Sequence, residues 1–258
     1  MRSRDDEFYV GYLSQAPAGI RAWVRRAVAV ILGVGAGVAL VLGGMQRGFA
    51  PAIYEYGKTR SLEGILSADP YPTLVVPRPG KPSEGSGSSR YLLVSRGKFG
   101  ASHEVNGLVG HRVRLLGTLI YREGRTMIQV EHGSIVEEGV ARSDAATAGG
   151  RIERLGPMTL VGEIVDSKCF MGVMNPGNLK VHRACAVRCI GGGIPPLFVV
   201  HDRTGRTVQL LLVSSSGRMV NREVLDMVAE PLEIEGEVER HYDILVFKAD
   251  PATYRRLP

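Results

Sequence analysis

The chain has 258 residues, of which 44% are hydrophobic, 22% charged and 6% aromatic. This composition is typical of globular proteins and excludes wholesale disorder and collagen-like or coiled-coil fibres. The formal net charge is +6. Residues 1–47 contribute +3 of it, because they hold six Arg and three acidic residues. Since no dense basic run occurs elsewhere, we expect no nucleic-acid partner.

The first predicted element is a membrane-spanning helix at residues 27–46, a stretch of 20 residues without a charge. About 20 apolar residues cross a bilayer as a helix. A buried helix of a soluble protein would be expected to show a polar face, and this stretch shows none. A cleaved signal peptide is the other alternative, but the preceding region is long and no clear cleavage site follows.

The charges around this span predict its orientation. Five Arg lie in residues 1–26, before the span, and few cationic residues follow it closely. Positive flanks usually stay in the cytoplasm. We therefore predict a cytoplasmic segment at residues 1–26 and a single-pass anchor in the inner (cytoplasmic) membrane. The remaining chain is then periplasmic.

The remaining chain is rich in predicted strands and contains two stretches that look alike. Residues 61–66 recur as residues 159–164, and the predicted hairpin at 113–131 recurs at 232–250, aligned on glycines. Each copy alternates apolar and polar residues around a polar turn. The repetition predicts two small β domains in tandem.

The predicted fold is mainly β: two tandem OB-like β-barrel domains, the second with a helical Cys-rich insertion. The first, degenerate domain spans 51–139, a linker spans 140–155, and the second domain spans 156–258. A bent first strand, five strands in all and a predicted helix at 222–230 before the closing hairpin favour an OB-type barrel. A two-sheet sandwich is the alternative.

All three cysteines of the chain lie in one loop of the second domain, a cassette at residues 167–196. Residues 179–190 are predicted to form a helix that ends at a run of glycines. His182, Cys185 and Cys189 then share one helical face, because their spacing is i, i+3, i+7. Cys169 is predicted to reach the same place from the end of the preceding strand.

The pattern predicts a metal or cofactor site with Cys169, His182, Cys185 and Cys189 as ligands. Met171 and Met174 are candidate additional soft ligands, so copper(I) is considered beside zinc and an iron–sulfur cluster. A disulfide from Cys169 to one of the other cysteines, leaving a free thiol, is the main alternative in an oxidising compartment. A buried, inert cysteine stripe is the third.

Two resemblances follow from these residues. One span followed by OB-type domains resembles the membrane-anchored haem chaperones of cytochrome c maturation in topology only. Their His-x3-Tyr context does not occur here, so the resemblance does not imply haem binding. The window 162–189 is similar to a bacterial exported module with G-x-V-x-D-x-x-C on a strand and C-x3-C on a helix. That module often carries a His soon after its first Cys, where this chain has Met171 and Met174.

Together these features predict a membrane-tethered periplasmic accessory protein that binds a metal or cofactor through the cassette. The alternative is a disulfide-stapled interaction subunit of a membrane-bound redox or assembly complex, which the segment before the anchor would contact. An enzyme ranks third, because the sequence offers no acid–base pair or activated nucleophile.

Overall fold

The structure is a computed structural model that describes residues 16–45, 52–77, 88–140, 152–201 and 206–258. The segment proposed to contact a membrane complex (residues 6–13) lies outside the described residues, as does most of the predicted linker. The chain divides into two compact units, Met1–Ala50 and Pro51–Pro258.

The described part of the first unit is a single helix, α1 (Ala18–Met45). It begins nine residues before the span predicted at 27–46, so its first turns include three arginines. Its most apolar window has a mean hydropathy of 2.3, and the helix is long and apolar enough to cross a membrane. A signal sequence near an N-terminus has the same properties.

The second unit begins with a closed barrel of five strands. The strands of this first barrel and its two flanking strands are β1 (Ala52–Tyr54), β2 (Arg60–Ser67), β3 (Thr73–Pro77), β4 (Ser88–Val94), β5 (His111–Arg122), β6 (Arg125–Val130) and β7 (Val136–Val140). The barrel closes in the order β2-β3-β4-β6-β5-β2, and β1 and β7 pair with β5 from outside. Only β4 and β6 pair in parallel within this circuit.

A second closed barrel has the same strand order. Its strands are β8 (Ile152–Asp166), β9 (Pro196–His201), β10 (Thr207–Val213), β11 (Leu232–His241), β12 (Ile244–Lys248) and the short β13 (Arg255–Arg256). The circuit is β8-β9-β10-β12-β11-β8, with β10 and β12 parallel. The mainly β prediction is confirmed and the two-sheet sandwich is wrong, because each sheet closes on itself. β8 begins inside the range predicted as linker, 140–155.

The two glycines on which the sequence copies align occupy corresponding places, Gly117 in β5 and Gly236 in β11. A Cβ on Gly117 would lie 2.5 Å from Ile128 Cγ2, and a Cβ on Gly236 would lie 2.5 Å from Lys248 O. At both positions the next strand approaches too closely for a side chain, which is a common reason for glycine within a strand.

The helix predicted at 222–230 is wrong: only a short 3₁₀ turn forms there, Leu225–Met227. The stretch does not continue as a helix because its backbone pairs with β8 instead. The Ala229 amide donates to Ile164 O of β8 at 3.0 Å, and Val228 forms a parallel bridge with Ile164. The apolar side chains Val224 and Val228 are nevertheless fully buried, as their pattern predicts.

Each barrel has a buried apolar cluster of its own, and a third cluster forms an apolar core that the two barrels share. One cluster of buried residues draws on both barrels: Tyr71, Leu92, Val94, Ile120 and Met127 from the first, and Val165, Phe170, Leu197, Val199, Leu211, Val213 and Val246 from the second, among others. The Tyr71 hydroxyl donates to Leu212 O and accepts from the Val220 amide, both at 3.3 Å. The barrels therefore stabilise each other.

Candidate metal centre

The segment between β8 and β9 holds a short π-helical turn, Cys169–Val173, and a helix, α2 (Leu179–Gly191). The helix predicted at 179–190 is confirmed. Glu163 of β8 accepts from the Leu179 amide at 3.0 Å and from Asn178 Nδ2 at 3.3 Å. A carboxylate there satisfies a free amide and complements the helix dipole. The glycines predicted to end the helix do so at Gly191.

A glycine brings this segment back over Cys169. A Cβ on Gly177 would lie 2.5 Å from Cys169 O, so only glycine lets the chain pass so close. The helix that follows consequently starts beside the turn that carries Cys169. In this way the turn that follows β8 and the helix α2 bring their cysteines to one point.

The three cysteine sulfurs converge. Cys185 Sγ lies 4.0 Å from Cys169 Sγ and 4.0 Å from Cys189 Sγ, and all three sulfurs lie within 4.8 Å of one another. Cys169 and Cys189 are buried, Cys185 is partly exposed, and all three are free thiols. The cluster is thus open to solvent mainly at Cys185.

Two lysines lie beside this cluster, and each makes contacts between the two barrels. Lys98, from the segment between β4 and β5, donates to Cys185 Sγ at 2.7 Å and lies 3.9 Å from Cys189 Sγ. Lys168 is buried beside Cys169. Its ammonium donates to Ser95 O at 2.8 Å and Gly97 O at 2.9 Å, which are in the same segment as Lys98.

The thiols have unequal acidities. A hydrogen bond from Cys169 lowers the pKa of Cys189 to about 7, and the Lys98 charge acts in the same direction. Sharing that proton, together with burial and the Asp166 charge, raises the pKa of Cys169. The hydrogen bond to Cys185 raises the pKa of Lys98, while burial lowers the pKa of Lys168 to about 8.

His182 lies on the inner side of the cluster and contacts Asp166. Its Nε2 is 3.0 Å from Asp166 Oδ2, and both side chains are almost fully buried. The other carboxylate oxygen, Oδ1, accepts from the Cys169 amide at 2.8 Å. Asp166, Cys169 and His182 form a second group of mutually close donor atoms, which shares only Cys169 with the three-sulfur group.

The two candidate methionines differ from each other in burial. Met171 is buried in the apolar core shared by the barrels, and Met174 is 47% exposed. Met171 shares that buried cluster with Cys169 and Cys189. Met174 contacts Cys169 through the backbone, since its amide donates to Cys169 O at 3.3 Å.

Three residues of this site were not predicted as site residues from the sequence: Lys98, Asp166 and Lys168. Asp166 and Lys168 belong to the D-x-x-C pattern before Cys169, and that pattern could have indicated a positioning role for the carboxylate. Lys98 gives no sequence signal, because it is 87 residues from Cys185 in the chain.

A cavity of about 740 Å³ lies elsewhere between the barrels, with Arg90, Glu239 and Lys248 among its lining residues. These three charged side chains have hydrogen-bond partners within the protein. Glu239 Oε2 lies 2.8 Å from His241 Nε2, and Glu239 Oε1 accepts from Lys248 at 3.3 Å. Arg90 donates to Thr73 Oγ1 at 3.0 Å. The sulfur cluster is the stronger candidate site, since its three soft donor atoms lie within 4.8 Å of one another.

The chain matches no protein-family model and none of the curated proteins.

Proposed function

We propose that the chain is a membrane-tethered accessory protein that holds a soft metal ion through Cys169, Cys185 and Cys189. The convergence of the three free thiols carries this proposal. Three sulfurs at about 2.3 Å from one ion would be about 3.8 Å apart in tetrahedral geometry and about 4.0 Å apart in trigonal geometry. The two sulfur pairs at 4.0 Å fit such a site.

Asp166 and His182 act on this site through Cys169. The carboxylate accepts the Cys169 amide and contacts the His182 ring, so it fixes the backbone that carries one ligand. Buried hydrogen bonds of this kind commonly orient metal ligands. His182 is thereby a positioning residue, with its Nε2 used by Asp166.

Tethering rests on α1, which is long and apolar enough to span a bilayer. The arginine-rich side before its apolar part favours a cytoplasmic N-terminus, with both barrels on the periplasmic side. An alkaline phosphatase fusion at the C-terminus tests this orientation and should be active. An inactive fusion, beside an active cytoplasmic reporter at the same point, would reverse it.

The barrel topology supports an OB-type fold for both barrels. Each has five strands in a circuit with one parallel closing pair. In OB-type barrels the loop between strands one and two contributes to ligand binding. The cysteine cassette lies in that loop of the second barrel, which agrees with a binding role rather than catalysis.

The decisive experiment measures metal in the full chain, purified in detergent under anaerobic, reducing conditions. We expect one copper(I) or zinc ion per chain after loading with either metal. Replacing any one of the three cysteines by Ser should remove it. Met174→Leu is the matched control, because it alters an exposed thioether of the same segment and should leave metal content unchanged.

The alternative is a disulfide-stapled interaction subunit, and a second preparation of the full chain, made without reductant, distinguishes it. Free-thiol counting on denatured protein that was never reduced should give three thiols for the metal site. One thiol together with no metal in the reduced, loaded protein would establish the stapled subunit and overturn the proposal. Mass spectrometry of peptides from the unreduced protein would then identify the bridged pair.

A further inference from the structure

The sulfur cluster has three donors and an open side. Among the described residues, no His, Asp or Glu lies close to all three sulfurs at once. Cys169 and Cys189 are buried in the core shared by the barrels, so the fourth direction faces outward, where Cys185 is partly exposed. A structural zinc site would need a fourth protein ligand, and an open one would keep a water there.

Lys98 of the first barrel occupies the outward side. Its ammonium is 2.7 Å from Cys185 Sγ and 3.9 Å from Cys189 Sγ. An ammonium cannot ligate a metal, because all its valences are used, but it donates hydrogen bonds to sulfur. A water that completes a zinc site would have to displace it.

Three hydrogen bonds to the second barrel hold the Lys98 segment in place. Lys168 of the second barrel donates to Ser95 O and Gly97 O, and the Gly100 amide donates to Gly192 O at 3.0 Å. Gly192 follows α2 directly, so the segment is fastened to the end of the ligand-bearing helix. Lys98 is therefore held in position rather than left free in solvent.

We infer that Lys98 is a specificity-determining residue, which keeps the site three-coordinate and selects copper(I) over zinc. This inference rests on the proposed metal-binding function. Soft monovalent copper accepts three thiolates, and sulfur donors favour it. The repulsion between a fixed ammonium and a bound ion is proportional to the charge of the ion, so it is twice as large for a divalent ion at the same distance. The first barrel thereby acquires a role: it supplies the cation that closes the site.

The test compares copper(I) and zinc binding by the full chain in detergent, each metal in competition with a chelator of known affinity at one pH. In the Lys98→Gln variant we expect the ratio of copper(I) to zinc affinity to fall by roughly tenfold or more, because a tenfold change needs only about 1.4 kcal/mol. Lys98→Arg should retain the ratio of the unchanged protein. Lys180→Gln is the matched control. Lys180 is an exposed cation on α2, the helix that carries Cys185 and Cys189, and it pairs with Glu230.

X-ray absorption of the copper(I) form gives an independent readout, with three sulfur neighbours and no fourth ligand expected. A ratio of copper(I) to zinc affinity that Lys98→Gln leaves unchanged would overturn the role of Lys98 and leave the metal site standing. A chain that binds neither metal would instead overturn the proposed function. Circular dichroism of each variant confirms that the barrels are folded.

Discussion

The contact between Gly192 and the Lys98 carbonyl provides a direct test of how closely the first barrel approaches the cysteine helix. A Cβ on Gly192 would lie 2.0 Å from Lys98 O. Non-bonded carbon and oxygen atoms stay about 3.3 Å apart, so the Lys98 segment would have to move by about 1.3 Å. The backbone of Gly192 itself is in an ordinary conformation, with φ −81°. The Gly192→Ala variant therefore tests the contact alone.

The expected cost has two parts. Forcing a methyl group into a filled space costs about 1–3 kcal/mol. The hydrogen bond from the Gly100 amide to Gly192 O would be lost or lengthened, which costs about 1 kcal/mol. We expect Gly192→Ala to lower the free energy of unfolding by about 2–4 kcal/mol.

Gly191→Ala is the matched control, because its Cβ would meet nothing closer than Leu225 at 3.9 Å. It should leave stability unchanged or raise it slightly. Urea unfolding of the full chain in detergent, followed by circular dichroism, measures both variants. Tryptophan fluorescence is unsuitable, since the chain has one tryptophan and it lies in α1, at Trp23. The reasoning would be refuted if the free energies of unfolding of the two variants differed by less than about 0.5 kcal/mol.

Three other predictions test the site and the shared core. Asp166→Ala should lower the free energy of unfolding by about 2–5 kcal/mol, because the buried Cys169 amide and His182 lose their partner. Urea unfolding measures this loss. Asp226→Ala is the control and should change little, since its carboxylate is 71% exposed. In metal-free protein, ultraviolet absorbance should show one thiolate forming with a pKa of about 7. Because folding lowers this pKa, the thiolate stabilises the fold near pH 9 and the contribution is lost as the pH falls through 7; a Cys189→Ser variant with the same transition would contradict the assignment. Tyr71→Phe should cost about 1–2 kcal/mol in thermal or urea unfolding, since the Val220 amide loses its acceptor, and an equal loss in Tyr56→Phe, at a side chain 78% exposed, would contradict that cause.

Local pattern was sufficient to predict the secondary structure around the cassette. The helix at 179–190, its end at the glycines and the two barrel hairpins follow from spacing and turn residues that act within a few positions. The convergence of Cys185 and Cys189 was also predictable, because helical periodicity fixes it. The stretch 222–230 shows the limit of such patterns. Its apolar spacing predicts a helix, but the Ala229 amide instead donates to Ile164 O of β8.

The contacts between barrels could not be predicted in the same way. Lys98 reaches Cys185 across 87 residues of chain, and Arg90 reaches Asp243 across 153. Such contacts depend on how two closed barrels pack, and no periodicity in a single segment encodes that. For His182, the helical face was predicted but not the buried Asp166 beside it, since that pairing needs the exact end of β8.

The shared apolar core also bears on the order of events during folding. Each barrel closes by a parallel pair, and the contact between Lys98 and Cys185 joins the first barrel to the second. Long-range contacts of this kind form late, because chain entropy must be lost before they are gained. Before the barrels dock, the three thiols would lack this burial and could be oxidised. In an oxidising compartment, folding of this chain would therefore require the barrels to dock before the thiols are oxidised, and a reductant or a metal ion bound early would protect the thiols until then.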